Sequence, residues 1–184
     1  DVLLEKTKAM PKIAEATYFA LSDKRKALFY AIDHLYECAQ EPQEMINLPH
    51  DAAFGQVKIN SESCTLCLSC AGICPTSALT AGGEHPRLNF QENLCVQCGL
   101  CESACPEKIV SLESRILLSP ELRKDMHILK EEEPFCCIKC GKAFSTPSMI
   151  AMITGRLAGH SMFSEPGALD RLKMCEDCRV VDMF

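Results

Sequence analysis

Cys64, Cys67, Cys70 and Cys74 run up to Pro75, and Cys95, Cys98, Cys101 and Cys105 run up to Pro106. Each run reads C-x2-C-x2-C-x3-C-P. Thiolate is a soft anionic ligand, and two-residue spacers let a turning backbone aim three successive sulfurs at one point. Three sulfurs from one tight loop suit three irons of a [4Fe–4S] cubane. The fourth cysteine lies about one helical turn further on and faces away, where it reaches the other cluster. Cluster I is thus expected on Cys64, Cys67, Cys70 and Cys105, and cluster II on Cys95, Cys98, Cys101 and Cys74. One run alone also fits a zinc loop; two complete runs, each closed by proline, favour a pair of clusters.

A second pattern lies downstream. Cys137-x2-Cys140 and Cys175-x2-Cys178 flank an insert over residues 141–174. Two C-x2-C knuckles fit a tetrahedral site of four thiolates, for which zinc is the default metal. A rubredoxin-like single iron or a third cluster would use the same four residues, and reduced or disulfide-bonded thiols are the remaining alternative. Cys136 is left out, because adjacent side chains diverge and Cys137 has the two-residue spacing. His160, inside the insert, is not needed where four cysteines are present. Closing the insert through a metal stabilises a segment with a small core. Cys38 stands alone and is assigned no chemistry.

The elements that hold these residues repeat. One constant offset maps Cys64 on Cys95 and Pro75 on Pro106, with Val57 and Ile59 on Leu88 and Phe90. Alternating apolar residues before each loop predict a short strand with one buried face. A short helix should carry the fourth cysteine, and Leu79 and Val110 should open closing strands. The expected fold is α+β: N-terminal helices over residues 1–50, a ferredoxin-like unit of two pseudo-symmetric halves over 51–118, and a four-cysteine lobe with a helical insert over 119–184. Within 1–50, Ser22 or Asp23 caps a helix reaching Ala39, with a stripe of Leu28, Phe29, Ile32, Leu35 and Tyr36. An earlier helix holds Ile13, Thr17 and Ala20. Residues 41–56, with Pro42, Pro49 and Gly55, read as a linker. His85 sits in the turn between the halves and reads as an exposed loop residue. Ser119-Pro120 and Thr146-Pro147 each start a helix. The second carries Met149, Ile150, Ile153 and Leu157 on one side and ends at Gly159. Glu131, Glu132 and Glu133 read as a solvated face.

On these motifs residues 57–113 resemble a bacterial-type dicluster 2[4Fe–4S] ferredoxin domain. A wider resemblance rests on Cys64-Thr65-Leu66-Cys67, Cys95 to Cys101, Glu132-Glu133-Pro134-Phe135, Cys140-Gly141-Lys142 and Met174 to Val180. It is to the C-terminal part of larger bacterial 4Fe–4S proteins that accompany formate dehydrogenase. That resemblance implies an electron-transfer or accessory role in formate oxidation. Together with the start at Asp1, it implies a piece of a longer chain.

Composition narrows the classes. Fourteen cysteines in this arrangement argue for metal rather than disulfides, and cluster thiolates survive best in a reducing compartment, the cytoplasm. No run of apolar residues is long enough to span a membrane. The formal net charge is −6 with neutral cysteines; two clusters and one zinc, each about −2 with its thiolates, bring it to about −12. A basic face on a redox partner suits that charge, and nucleic acid does not. A cubane with four cysteine ligands has no open iron, and no hydrolase, metalloprotease or phosphate-loop motif is present. The sequence therefore points to electron transfer in the service of a larger redox enzyme. The alternative is a redox- or iron-sensing, or assembly, module for a molybdoenzyme, with the zinc lobe as its interaction element.

Overall fold

The computed structural model describes residues 13–17, 23–83 and 85–183. Helix α1 spans Lys24–Cys38 and is followed by a short strand β1, Met45–Asn47. Strand β2 (Gly55–Ile59), helix α2 (Ser69–Gly72) and strand β3 (Leu79–Ala81) come next. They are followed by strand β4 (Arg87–Gln91), helix α3 (Leu100–Ala104) and strand β5 (Val110–Leu117). The elements α2 and α3 open at Ser69 and Leu100, and β3 and β5 at Leu79 and Val110, each pair at the offset that separates Cys64 from Cys95. Two antiparallel three-stranded sheets result, ordered β1-β5-β2 and β3-β4-β6, where β6 is Met126–Glu131. Helix and strand are mixed, and the sheets are small, as the α+β reading expects.

Alternation places the core. Val57 of β2, Leu79 of β3, Leu88 and Phe90 of β4 and Val110 of β5 are buried around Cys64, Cys70, Cys95 and Cys101. The first and third cysteines of each run thus sit inside the apolar core. Gly55 opens β2 because a Cβ there would collide with the backbone oxygen of Glu113 on the paired strand.

Several expectations change. Residues 13–17 run exposed and without regular structure, so no helix holds Ile13 and Thr17; Ala20 and Ser22 lie outside the described residues. Asp23 caps α1, its carboxylate accepting from the N–H groups of Arg25 and Lys26. Of the expected stripe, Phe29 is buried and Ile32 and Tyr36 are half-buried, while Leu28 and Leu35 face solvent. The helix is held more by charge. Arg123 is buried, pairs with Asp33, donates to the carbonyl of Leu117 at 2.8 Å, and lies 4.3 Å from the Phe29 ring centre. Residues 45–47, expected in a linker, form β1 instead, because their backbone pairs with residues 115–117 of β5. The short helices α2 and α3 carry the third cysteines, Cys70 and Cys101; Cys74 and Cys105 follow their ends.

Beyond β5, Ser119 caps a short helix α4 (Pro120–Lys124). Strand β6 then returns to pair with β4. A two-stranded hairpin, β7 (Phe135–Cys136) and β8 (Ala143–Ser145), leads into α5, Pro147–Leu157, capped by Thr146. Ile150 of α5 is buried and Met149, Ile153 and Leu157 are half-buried, so the expected apolar side is the one covered. A 3-10 turn over Ala168–Lys173 and helix α6, Glu176–Met183, complete the lobe.

Candidate iron–sulfur and tetrathiolate centres

Each cysteine loop turns through left-handed residues at matching places. Leu66 and Gln97 have φ of 52° and 53°, Leu68 and Gly99 have 59° and 78°, and Ser77 and Lys108 have 56° and 53°. Each pair again keeps the offset of Cys64 from Cys95. Non-glycine residues adopt this conformation at a cost, so its recurrence marks a constraint of the loop. A left-handed residue followed by a helical one turns successive N–H groups to one side and forms a concavity that suits an anion, as at many iron–sulfur sites.

Two cavities lie beneath the loops. One is lined by Cys64, Cys67, Cys70 and Cys105, with Ile59, Leu88 and Val110 as apolar walls. The other is lined by Cys74, Cys95, Cys98 and Cys101, with Val57, Leu79 and Leu112. Each cavity gathers three cysteines of one run and the fourth of the other. The first and third cysteines of each run are buried, the second exposed and the fourth half-buried. Burial pushes the Cys70 and Cys101 thiols up to about 11 in the metal-free chain. Four thiols converging on a space with apolar walls fit a [4Fe–4S] group.

Contacts from outside the two runs hold these loops, and the sequence reading missed them. Arg25 of α1 donates through Nη2 to the carbonyl of Cys95 at 2.5 Å. Lys130 of β6 donates to the carbonyl of Cys64, also at 2.5 Å. The first cysteine of each run is thus held by a cation from a flanking element. Gln97 donates through Nε2 to Cys95 Sγ at 3.4 Å. Cys74 would be raised by burial, but the N–H groups of Leu79, Thr76 and Ala78 and the Thr76 hydroxyl outweigh it and hold that thiol low. Only a break in the repeat signals these residues: Gln97 stands opposite Leu66, and Thr76 opposite Glu107.

In the C-terminal lobe the sulfurs of Cys137, Cys140, Cys175 and Cys178 all lie within 4.8 Å of one another, with Cys140 and Cys175 3.6 Å apart. A tetrahedron of sulfurs about 2.3 Å from one metal has edges of about 3.8 Å, so the group fits a single ion. A cubane spreads its thiolates over separate irons and needs them further apart. Gly141, at φ 75°, lets the first knuckle turn, and its N–H donates to the Cys137 carbonyl at 2.9 Å. Burial would raise Cys137, but backbone N–H groups of Cys175, Cys140 and Lys139 outweigh it and lower this thiol. Lys142 clamps the second knuckle through Glu176 at 2.7 Å and Asp177 at 3.1 Å. Cys136 is exposed and outside the group. His160 accepts from the Met162 N–H at 3.3 Å, and His85 lies 3.4 Å from Glu133. Cys38 Sγ is 3.9 Å from His34 Nε2.

Residues 63–110 match the family described as a 4Fe-4S dicluster domain. The chain is 41% identical over 49 residues to the ferredoxin-type protein NapF of Escherichia coli strain K12. Proteins of that name from the O6:H1 and O157:H7 strains match equally. These alignments cover 26% of this chain and 30% of each relative, so the chain spans less than a third of the length of the curated relatives it matches. A ferredoxin-type iron–sulfur domain therefore occupies this stretch, and such a domain implies electron transfer. No helix among the described residues is long and apolar enough to cross a membrane.

Proposed function

We propose that the chain carries electrons through two [4Fe–4S] clusters, as a domain or subunit serving a larger redox enzyme. Cluster I is held by Cys64, Cys67, Cys70 and Cys105, and cluster II by Cys95, Cys98, Cys101 and Cys74. The observation that carries this reading is the crossed composition of the two cavities. A bound cluster with four cysteine ligands supplies one-electron redox chemistry and offers no open iron to a substrate. The chain does the rest. Thiols ligate, left-handed loops present backbone N–H groups, and Val57, Leu79, Leu88 and Val110 keep water from the buried sulfurs. Helices and strands that recur at the offset of the two cysteine runs support two pseudo-symmetric halves.

The three units of the chain are residues 1–50, 51–118 and 119–184, with β1 and β6 adding strands to the central one. Cys137, Cys140, Cys175 and Cys178 hold one Zn2+, or a single iron in its place, in a structural role. The partner is a formate dehydrogenase system in the cytoplasm. The motifs outside residues 63–110 support that choice, and the negative charge supports a basic docking face. Reduced formate dehydrogenase should bleach the clusters at a catalytic rate, and more slowly as salt rises, because screening weakens long-range attraction. If no redox enzyme of the native cell does so, the sensing or assembly role replaces the relay. Metal analysis of protein purified without air should give about eight irons and about one zinc. About twelve irons without zinc would overturn the structural role of the lobe.

A further inference from the structure

The two cavities differ in charge. Glu107 lines the cavity of Cys64, Cys67, Cys70 and Cys105, where the matching position in the other half, Thr76, carries a hydroxyl. Its side chain is 15% exposed. Oε2 pairs with Arg156 Nη2 of α5 at 2.7 Å. Oε1 is buried and has no hydrogen-bond partner among the described residues. Lys130, the cation at this loop, is neutralised by Glu132 at 2.8 Å. At the other cavity the cation is Arg25, and Gln97 adds an N–H donor to Cys95 Sγ.

Resting on the two-cluster reading, we infer that Glu107 makes the clusters inequivalent: its carboxylate holds the Cys64/Cys67/Cys70/Cys105 cluster at the lower potential, so that this cluster is reduced second. An electron taken from a one-electron donor adds one negative charge at the site that receives it. A fixed carboxylate facing that site opposes the addition, whereas N–H donors and a nearby cation favour it. The hydroxyls of Thr65 and Ser69 at the first loop work in the opposite sense. They are dipoles, and a full charge in a site with apolar walls outweighs them. Arg156 reaches the carboxylate from outside, since its own side chain is 59% exposed. It therefore offsets only part of the charge.

The test is a redox titration of the anaerobic full chain followed by electron paramagnetic resonance. The unaltered chain should show two one-electron steps. Glu107→Gln keeps the shape, and the lower step should move to higher potential while the upper step stays. Arg156→Gln removes the counter-ion and keeps the carboxylate, so the lower step should move to still lower potential. Thr76→Glu should lower the upper step. A purely structural role would move the lower step the same way in Glu107→Gln and Arg156→Gln, and that result would overturn the inference. So would a Glu107→Gln chain with both steps unmoved. A chain that binds no iron, or whose iron takes up no electrons, overturns instead the function on which the inference rests.

Discussion

Cys74 and Cys105 carry the crossing of the two cysteine runs, and they are the residues on which it is tested. Each follows the end of a short helix that carries the third cysteine of its own run, and each lines the cavity of the other run. Cys105→Ala should therefore damage the cluster of Cys64, Cys67 and Cys70. Anaerobic protein should fall from about eight irons toward about four, with the cluster of the second run spectroscopically intact. Damage confined to the cluster of Cys95, Cys98 and Cys101 would contradict the crossing. The spacing of the cysteines was legible because a loop's ligands are local. Arg25 and Lys130 were not legible as site residues, because only packing brings them there. Arg25 lies 70 residues from the carbonyl it binds, and Lys130 lies 66 from its own.

At the scale of elements, the chain outside the cysteine runs is attached by buried charge. Asp33 of α1 and Arg123 of α4 form a pair whose side chains are 10% and 2% exposed. Removing one partner leaves the other buried and uncompensated, so Asp33→Ala should cost about 3 kcal/mol in urea unfolding. A loss below about 0.5 kcal/mol would mean that the pair is solvated like a surface bridge. At the other end, Glu132 joins β6 to the start of α5. It pairs with Lys130 at 2.8 Å and accepts from the Ser148 N–H at 3.2 Å. Burial would raise its carboxyl, but the Lys130 and Ser148 bonds outweigh it and lower it. A lowered carboxylate adds stability above its unfolded value of about 4.3, and that stability is lost as pH falls through the folded value. Thermal unfolding of Glu132→Gln should therefore lose less on going from about pH 5 toward about pH 3 than the unaltered chain does. An equal loss in both proteins would remove Glu132 from the account. The sequence marked Glu132 as part of a solvated charge run, since composition does not show which member of a run meets a buried lysine. It did mark the caps at Asp23, Ser119 and Thr146, because capping depends on neighbours within one turn. It erred on Leu28 and Leu35, where the covered face of α1 is chosen by Arg25 and Asp33 as much as by apolar residues.

For the whole molecule, the four-cysteine lobe and the iron–sulfur region are adjoining parts with separate donor sets. Phe144 packs against Cys137 and Cys175, and two residues later Thr146 Oγ1 donates to the carbonyl of Thr65, inside the first cysteine loop, at 3.0 Å. If the four cysteines of the lobe hold the proposed zinc, a zinc-selective chelator should leave the iron count unchanged but make the first cluster lose iron faster in air than the second. Simultaneous loss of zinc and all iron would show one shared metal system instead. As proposed above, the two cysteine runs form a pair of electron-carrying clusters within one small core. Reductive titration of the anaerobic chain, with electrons counted and paramagnetic resonance recorded at each point, tests it most directly. Reversible uptake of about two electrons per chain is expected, with a spectrum of two magnetically interacting spins at full reduction. Uptake of a single electron, two spins without interaction, or iron that accepts no electrons reversibly would contradict it.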